Sequence, residues 1–229
     1  MTWLLQVPER HTPLLGASTG GGSRTTGGGS LARGIAHARV PCAAVDPATL
    51  DAWLPDFAVR TRHGRRSSAA PERLWTAANE VCMSETHSLG RLVRWRIPGV
   101  RTDQTFGELL AAYPFCVLDE GEHWSISGLC GRIWTLQRDY PRLDGPEDFR
   151  TWSEPGTVRV LIANWVQADG DGSTIVSEAR VSPVDRRAAL RLRSLWVVIG
   201  VFERLIGGEA LALAAERASG AGVRGDTQR

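Results

Sequence analysis

The last third of the chain constrains the fold most. Two strand-like runs, Val158 to Val166 and Thr174 to Val181, are joined through Asp169-Gly170-Asp171-Gly172 and lead directly into one long amphipathic helix beginning near Pro183. Both runs are rich in β-branched and aromatic residues, and an acid/glycine turn between such runs predicts an antiparallel hairpin. A hairpin that hands the chain straight to a helix predicts a sheet gripping a helix, with a cavity between them. The same stretch carries no catalytic signature.

The helix declares itself by spacing. Ala188, Leu192, Leu195, Trp196, Ile199, Phe202, Leu205 and Ile206 recur every three or four residues and so share one side, while Arg187, Arg191, Arg193 and Arg204 fall largely on the other. Pro183 and Asp185 suit its first turn, and Gly207-Gly208 marks a break before the short run Glu209 to Arg217. Most of the apolar side is expected to pack as core, with Trp196 and Phe202 reaching a cavity.

Upstream, Phe115 to Leu118 and His123 to Ser127 flank the turn Asp119-Glu120-Gly121-Glu122 and predict a second hairpin. Arg132 to Leu136 predicts a further strand, and Phe57 to Arg62 a first one. Pro71-Glu72-Arg73-Leu74-Trp75 opens a helix with proline and an acid in its first turn and an apolar stripe of Leu74, Trp75, Ala78 and Val81. Ser84 to Trp95 and Thr105 to Ala112 read as two more helical stretches. Helices segregated from antiparallel strands give an α+β fold.

Three segments carry a resemblance: Ala70-Pro71-Glu72-Arg73-Leu74-Trp75 after the first strand, Gly128-Leu129-Cys130-Gly131-Arg132-Ile133-Trp134, and Ser177-Glu178-Ala179-Arg180-Val181 before the final helix. From about Phe57 to Ala215 the chain resembles the START-like, or SRPBCC, superfamily of helix-grip proteins, which includes polyketide cyclases, lipid-transfer domains and pollen-allergen-like carriers. The resemblance implies a curved antiparallel sheet wrapped around a long C-terminal helix, with a hydrophobic ligand cavity between. It implies no single reaction.

Composition sets the domain plan. Of 229 residues, 1–50 form a glycine-rich extension expected to be largely disordered, because Gly20-Gly21-Gly22-Ser23 and Gly27-Gly28-Gly29-Ser30 resemble a flexible linker. Residues 51–217 are expected to form the helix-grip domain and 218–229 a disordered tail. All 27 basic residues are arginine, which excludes Schiff-base chemistry and a phosphate-loop lysine. Gly16-Ala17-Ser18-Thr19-Gly20-Gly21-Gly22-Ser23 has the spacing of such a loop but places Gly22 where lysine belongs.

The first 50 residues hold four arginines against two acids, so the net charge of +2 belongs to them and the domain is neutral. No nucleic-acid partner is expected. The four cysteines form no CxxC pair, and Cys116, His123 and Cys130 match no ligand spacing, so the expectation is a reducing cytoplasm, free thiols and no metal or cofactor. Glu203, Arg204 and Glu209 interrupt the apolar run from Leu195, and no stable membrane insertion is expected.

Catalysis has few candidates. No serine lies in a nucleophile elbow, and an enzyme of the cyclase or dehydratase kind would have to use Glu178 or His123. Glu178 and Arg180 share one strand face, and alternation leaves two readings: the pair in water with Ile175, Ala179 and Val181 inward, or the pair inside the cavity orienting a polar ligand group. Nine tryptophans supply candidate walls. The candidate ligand-binding set is therefore Trp124, Trp134, Trp165, Glu178, Arg180, Trp196 and Phe202. The expected function is sequestration of a hydrophobic small molecule or lipid without catalysis, with a cyclase-type enzyme or a filled-core interaction module as the alternatives.

Overall fold

In the computed structural model of the chain, residues 47–96, 99–135, 140–206 and 208–223 are described. The glycine-rich repeats and the phosphate-loop-like octapeptide lie outside the described residues.

Gly170 takes a left-handed φ of 61° in the turn between Asp169 and Gly172, and the flanking runs pair as β4 (Val158–Asp169) and β5 (Gly172–Pro183). β1 (Val59–Ser67) pairs along β5 from Val59↔Val181 to Ser67↔Ser173, which draws it five residues beyond the expected end at Arg62. β2 (Cys116–Gly121) and β3 (Trp124–Gly131) form the second hairpin, and β3 lies against β4. The result is a five-stranded antiparallel sheet in the order β1-β5-β4-β3-β2, within the expected α+β helix-grip arrangement.

Around the sheet stand α1 (Pro47–Trp53), α2 (Pro71–Asn79), α3 (Ser88–Arg96), α4 (Phe106–Ala111), α5 (Pro146–Thr151), α6 (Arg186–Ile206) and α7 (Glu209–Val223). Thr105 caps α4 through a reciprocal box with Glu108. Asp185 caps α6: its carboxylate accepts the Ala188 N–H at 2.7 Å and the Gly156 N–H at 2.6 Å, and these bonds hold the group below the usual carboxylate range.

Four expectations are corrected. Pro183 ends β5, and the long helix starts three residues later behind Asp185. The β2–β3 turn is the two residues Glu122-His123, because Gly121 pairs with Trp124. Arg132 to Thr135 is a turn, with both the amide and hydroxyl of Thr135 donating to the Arg132 carbonyl, so Trp134 stands on no strand. The stretch expected as one helix from Ser84 splits into a 3-10 turn, Met83–Glu85, and α3.

Packing separates the two sheet faces. On the outer face, Leu50, Leu54 and Phe149 bury Ile126, Leu161, Ala163, Trp165 and Val176, so the N-terminal helix α1 is part of the core. Gly128 makes this possible: a Cβ there would stand 2.6 Å from the Phe149 ring. On the inner face, α2 and α7 close on Val166 and Ile175 at one end, and Leu192 of α6 joins Val158, Val160 and Val181 at the other. Ala218 is buried in the first of these clusters, so α7 packs beyond the expected end at residue 217.

Candidate ligand-binding cavity

Between the two inner-face clusters the space is not filled. Successive inward positions on β4 are Val158, Val160, Ile162, Asn164 and Val166, and on β5 Val181, Ala179, Ser177 and Ile175. Large apolar side chains meet the helices at both ends, while small or polar ones occupy the middle. A cavity of about 490 Å³ remains there, within the range of small-molecule sites. Its roof is apolar: Trp75 and Ala78 from α2, Leu89 from α3, Phe106 and Leu110 from α4, Trp196 from α6 and Leu211 from α7.

The floor is different. Pairing registers place His63 opposite Ser177, Ser177 opposite Asn164, Asn164 opposite Ser125 and Ser125 opposite Glu120. All five line the cavity. Glu120 reaches this row through a β-bulge: Val117 lines the cavity, and simple alternation would bring Asp119 inward next, but the register shift between Val117 and Asp119 turns Glu120 in instead.

Glu209, the first residue of α7, joins two roof elements. Its carboxylate accepts the backbone N–H groups of His87, Ser88 and Leu89 at 2.6, 3.2 and 3.1 Å, capping α3 from another helix.

Of the candidate ligand-binding residues, Trp196 lines the cavity from the roof, whereas Trp124 borders it at the end of β3 but pairs with Trp165 and packs against the outer core. Trp165 faces the outer core, where it is buried beneath the Arg62 guanidinium at 5.2 Å. Trp134 lies in the turn after β3, 5.9 Å from Arg191, and its indole N–H has no hydrogen-bond partner among the described residues. The Phe202 side chain lies outside the described residues.

The reading that puts Glu178 and Arg180 inside the cavity is corrected, and so is the placement in water of the other reading, whose inward set Ile175, Ala179 and Val181 does line the cavity. The face of Glu178 and Arg180 is the outer one, opposite the cavity, yet they are almost completely buried, at 1% and 2% exposure. Arg60 grips Glu178 with two bonds of 3.0 and 2.9 Å, Arg180 donates to it at 2.8 Å, and Arg180 also reaches Asp51 of α1 at 2.6 Å and the Leu54 carbonyl at 3.1 Å. Burial pushes the Glu178 carboxyl upward, but the bonds from Arg60 and Arg180 outweigh it and hold the group below its ordinary value. This network fastens α1 to the sheet. Neither Glu178 nor His123, a buried turn residue, is placed to act on a molecule in the cavity.

The polar floor was missed because His63 falls one residue past the expected end of β1. Its signal was nevertheless present: once Asp169 and Gly172 are paired, counting back along the hairpin sets Asn164 against Ser177.

Cys116 and Cys130 both belong to the outer core, and burial pushes the Cys130 thiol up to about 12. No group of residues suited to hold a metal ion occurs among the described residues, and none of the described helices is long and apolar enough to cross a membrane.

No protein-family model matches the chain, and no curated protein matches it. Among solved structures, it is similar to TTHA0849 from Thermus thermophilus, at 12% identity over 71% of this chain and 99% of that one, with a TM-score of 0.29. It is also similar to norcoclaurine synthase from Thalictrum flavum, solved with dopamine and hydroxybenzaldehyde, at 12% identity over 74% of this chain and 89% of that one, with a TM-score of 0.30. A third is Ara h 8.0201, at 9% identity over 70% of this chain and 97% of that one, with a TM-score of 0.25.

Proposed function

We propose that this chain is a START-like helix-grip protein that sequesters a hydrophobic small molecule or lipid between the inner sheet face and the helices, without catalysis. The observation that carries this reading is the 490 Å³ cavity itself, roofed by apolar side chains and left open between two well-packed clusters. An interior is normally packed to near-crystalline density, and an apolar space of this size wastes dispersion contacts unless something occupies it. Trp75 and Trp196 give an incoming ring or acyl chain broad surfaces at small conformational cost. The free thiols at Cys82, Cys116 and Cys130 support a reducing, cytoplasmic setting.

Mass spectrometry of the purified protein, first native and then denatured, tests the reading. A stoichiometric small molecule released on unfolding is the expected result. An empty protein that also takes up no Nile red, a neutral apolar dye, would sink it in favour of an interaction module.

A further inference from the structure

The polar floor specifies what kind of molecule this cavity takes. Building on the ligand-binding reading above, we infer that the occupant is amphipathic and not anionic: an apolar body under the helices, with neutral hydroxyl or carbonyl groups along one edge that meet the row His63, Ser177, Asn164, Ser125 and Glu120.

Three observations lead there. The row crosses all five strands in register, so its side chains recur at the interstrand spacing of roughly 5 Å, a regular ladder of polar groups. Among the described residues, no hydrogen bond engages the side chains of Ser125, Asn164 or Ser177, and each is half-buried where it lines the cavity. Both serines and the asparagine can donate and accept, which suits hydroxyl and carbonyl partners equally.

Charge supplies the other half. The chain holds 27 arginines, yet none stands among the described lining residues. Arg60, Arg62 and Arg180 occupy neighbouring strand positions and all turn to the outer face, where they gather on Glu178. The charged group at the end of the polar row is the acid Glu120. Among the described lining residues a carboxylate or phosphate head group would meet no arginine, only the imidazole of His63, and would share the row with Glu120; a buried charge without a full counter-charge is strongly disfavoured.

Nile red displacement from the full chain tests this with three matched competitors: naphthalene, a naphthalene bearing two meta hydroxyls, and naphthoate. The meta diol holds its oxygens at about the interstrand spacing. It is expected to displace the dye at roughly tenfold lower concentration than naphthalene, with naphthoate the weakest of the three. In Asn164→Leu and, separately, in the milder Ser177→Ala, the advantage of the diol over naphthalene, read against each variant's own dye affinity, should shrink while the melting temperature persists. A diol no better than naphthalene, a naphthoate that binds best, or an advantage that survives in both folded variants overturns the inference and leaves the cavity reading standing. A wild-type protein that binds no Nile red overturns the ligand-binding reading and this inference together.

Discussion

Ser177 and Glu178 are neighbours on β5, yet they face opposite sides of the sheet and meet opposite surroundings. Glu178 is sealed beneath α1, with Arg60 and Arg180 satisfying both oxygens. Ser177 faces a cavity where its hydroxyl bonds to none of the described residues. On the outer face polarity is matched within the chain and the space is filled by Phe149, Leu50 and Leu54. On the inner face both space and hydrogen-bonding capacity are left over. That contrast separates a stabilising face from a binding face more sharply than residue type does, since the more polar-looking pair, Glu178 and Arg180, is the structural one.

Replacing Glu178 should test the contrast most severely. Glu178→Ala leaves the buried Arg180 with Asp51 as its carboxylate partner among the described residues and is expected to cost about 3 kcal/mol, toward the low end for broken buried pairs because Arg60 and Arg62 are half-exposed. Ser177→Ala, one residue away, should stay within about 0.5 kcal/mol. Chemical denaturation of the two variants decides it, and equal losses would break the comparison.

Volume gives the next test. Gly128→Ala pushes a methyl against Phe149 and Leu118, at 2.6 and 2.9 Å in the unrelaxed structure, and should destabilise by about 2 kcal/mol. Ala179→Leu adds bulk on the inner face, where there is room; it should hold or raise the stability, by about 1 kcal/mol at most, and block Nile red uptake. A destabilised Ala179→Leu that still binds dye would mean the cavity is closed or lies elsewhere.

Acid should act through the outer face. Because the folded-state pKa of Glu178 is depressed, its contribution is fully present above the unfolded carboxylate value of about 4.3 and is lost as pH falls through the lower folded value. Stability measured from neutral pH downward should therefore decline less steeply in Glu178→Gln than in the wild type. A local effect is expected at Glu209→Ala, which uncaps α3 for about 1 kcal/mol. Amide exchange should then quicken in α3 while β4 and β5 keep their protection. Equal acceleration in the strands would show that the roof and the sheet do not open separately.

Much of this architecture was legible before any coordinates. The Asp169–Gly172 turn, the two long strands beside it, the α2 start at Pro71 and the broken C-terminal helix all follow from local rules: glycine at a left-handed turn, β-branched runs, proline at a helix start and three-to-four-residue apolar spacing. Bulk and position alone singled out Trp124, Trp165 and Trp196, of which Trp196 stands in the cavity roof and Trp124 packs with Trp165 on the outer side. The three were not separable, because nothing local says which face of a strand will be roofed by which helix.

The sequence by itself determined the α+β class, the hairpins and the sharing of one strand face by Ile175, Ala179 and Val181, since each depends on contacts within a few residues or on strict alternation; which face turns inward it left open. Only the tertiary structure decided that α1 returns from the N-terminal side to bury Glu178 and Arg180, that a bulge in β2 turns Glu120 inward, and that five polar side chains from five strands share one row. Those outcomes depend on register between segments far apart in the chain. Register is set by the sum of many pairings across the sheet, so no single stretch of residues carries it.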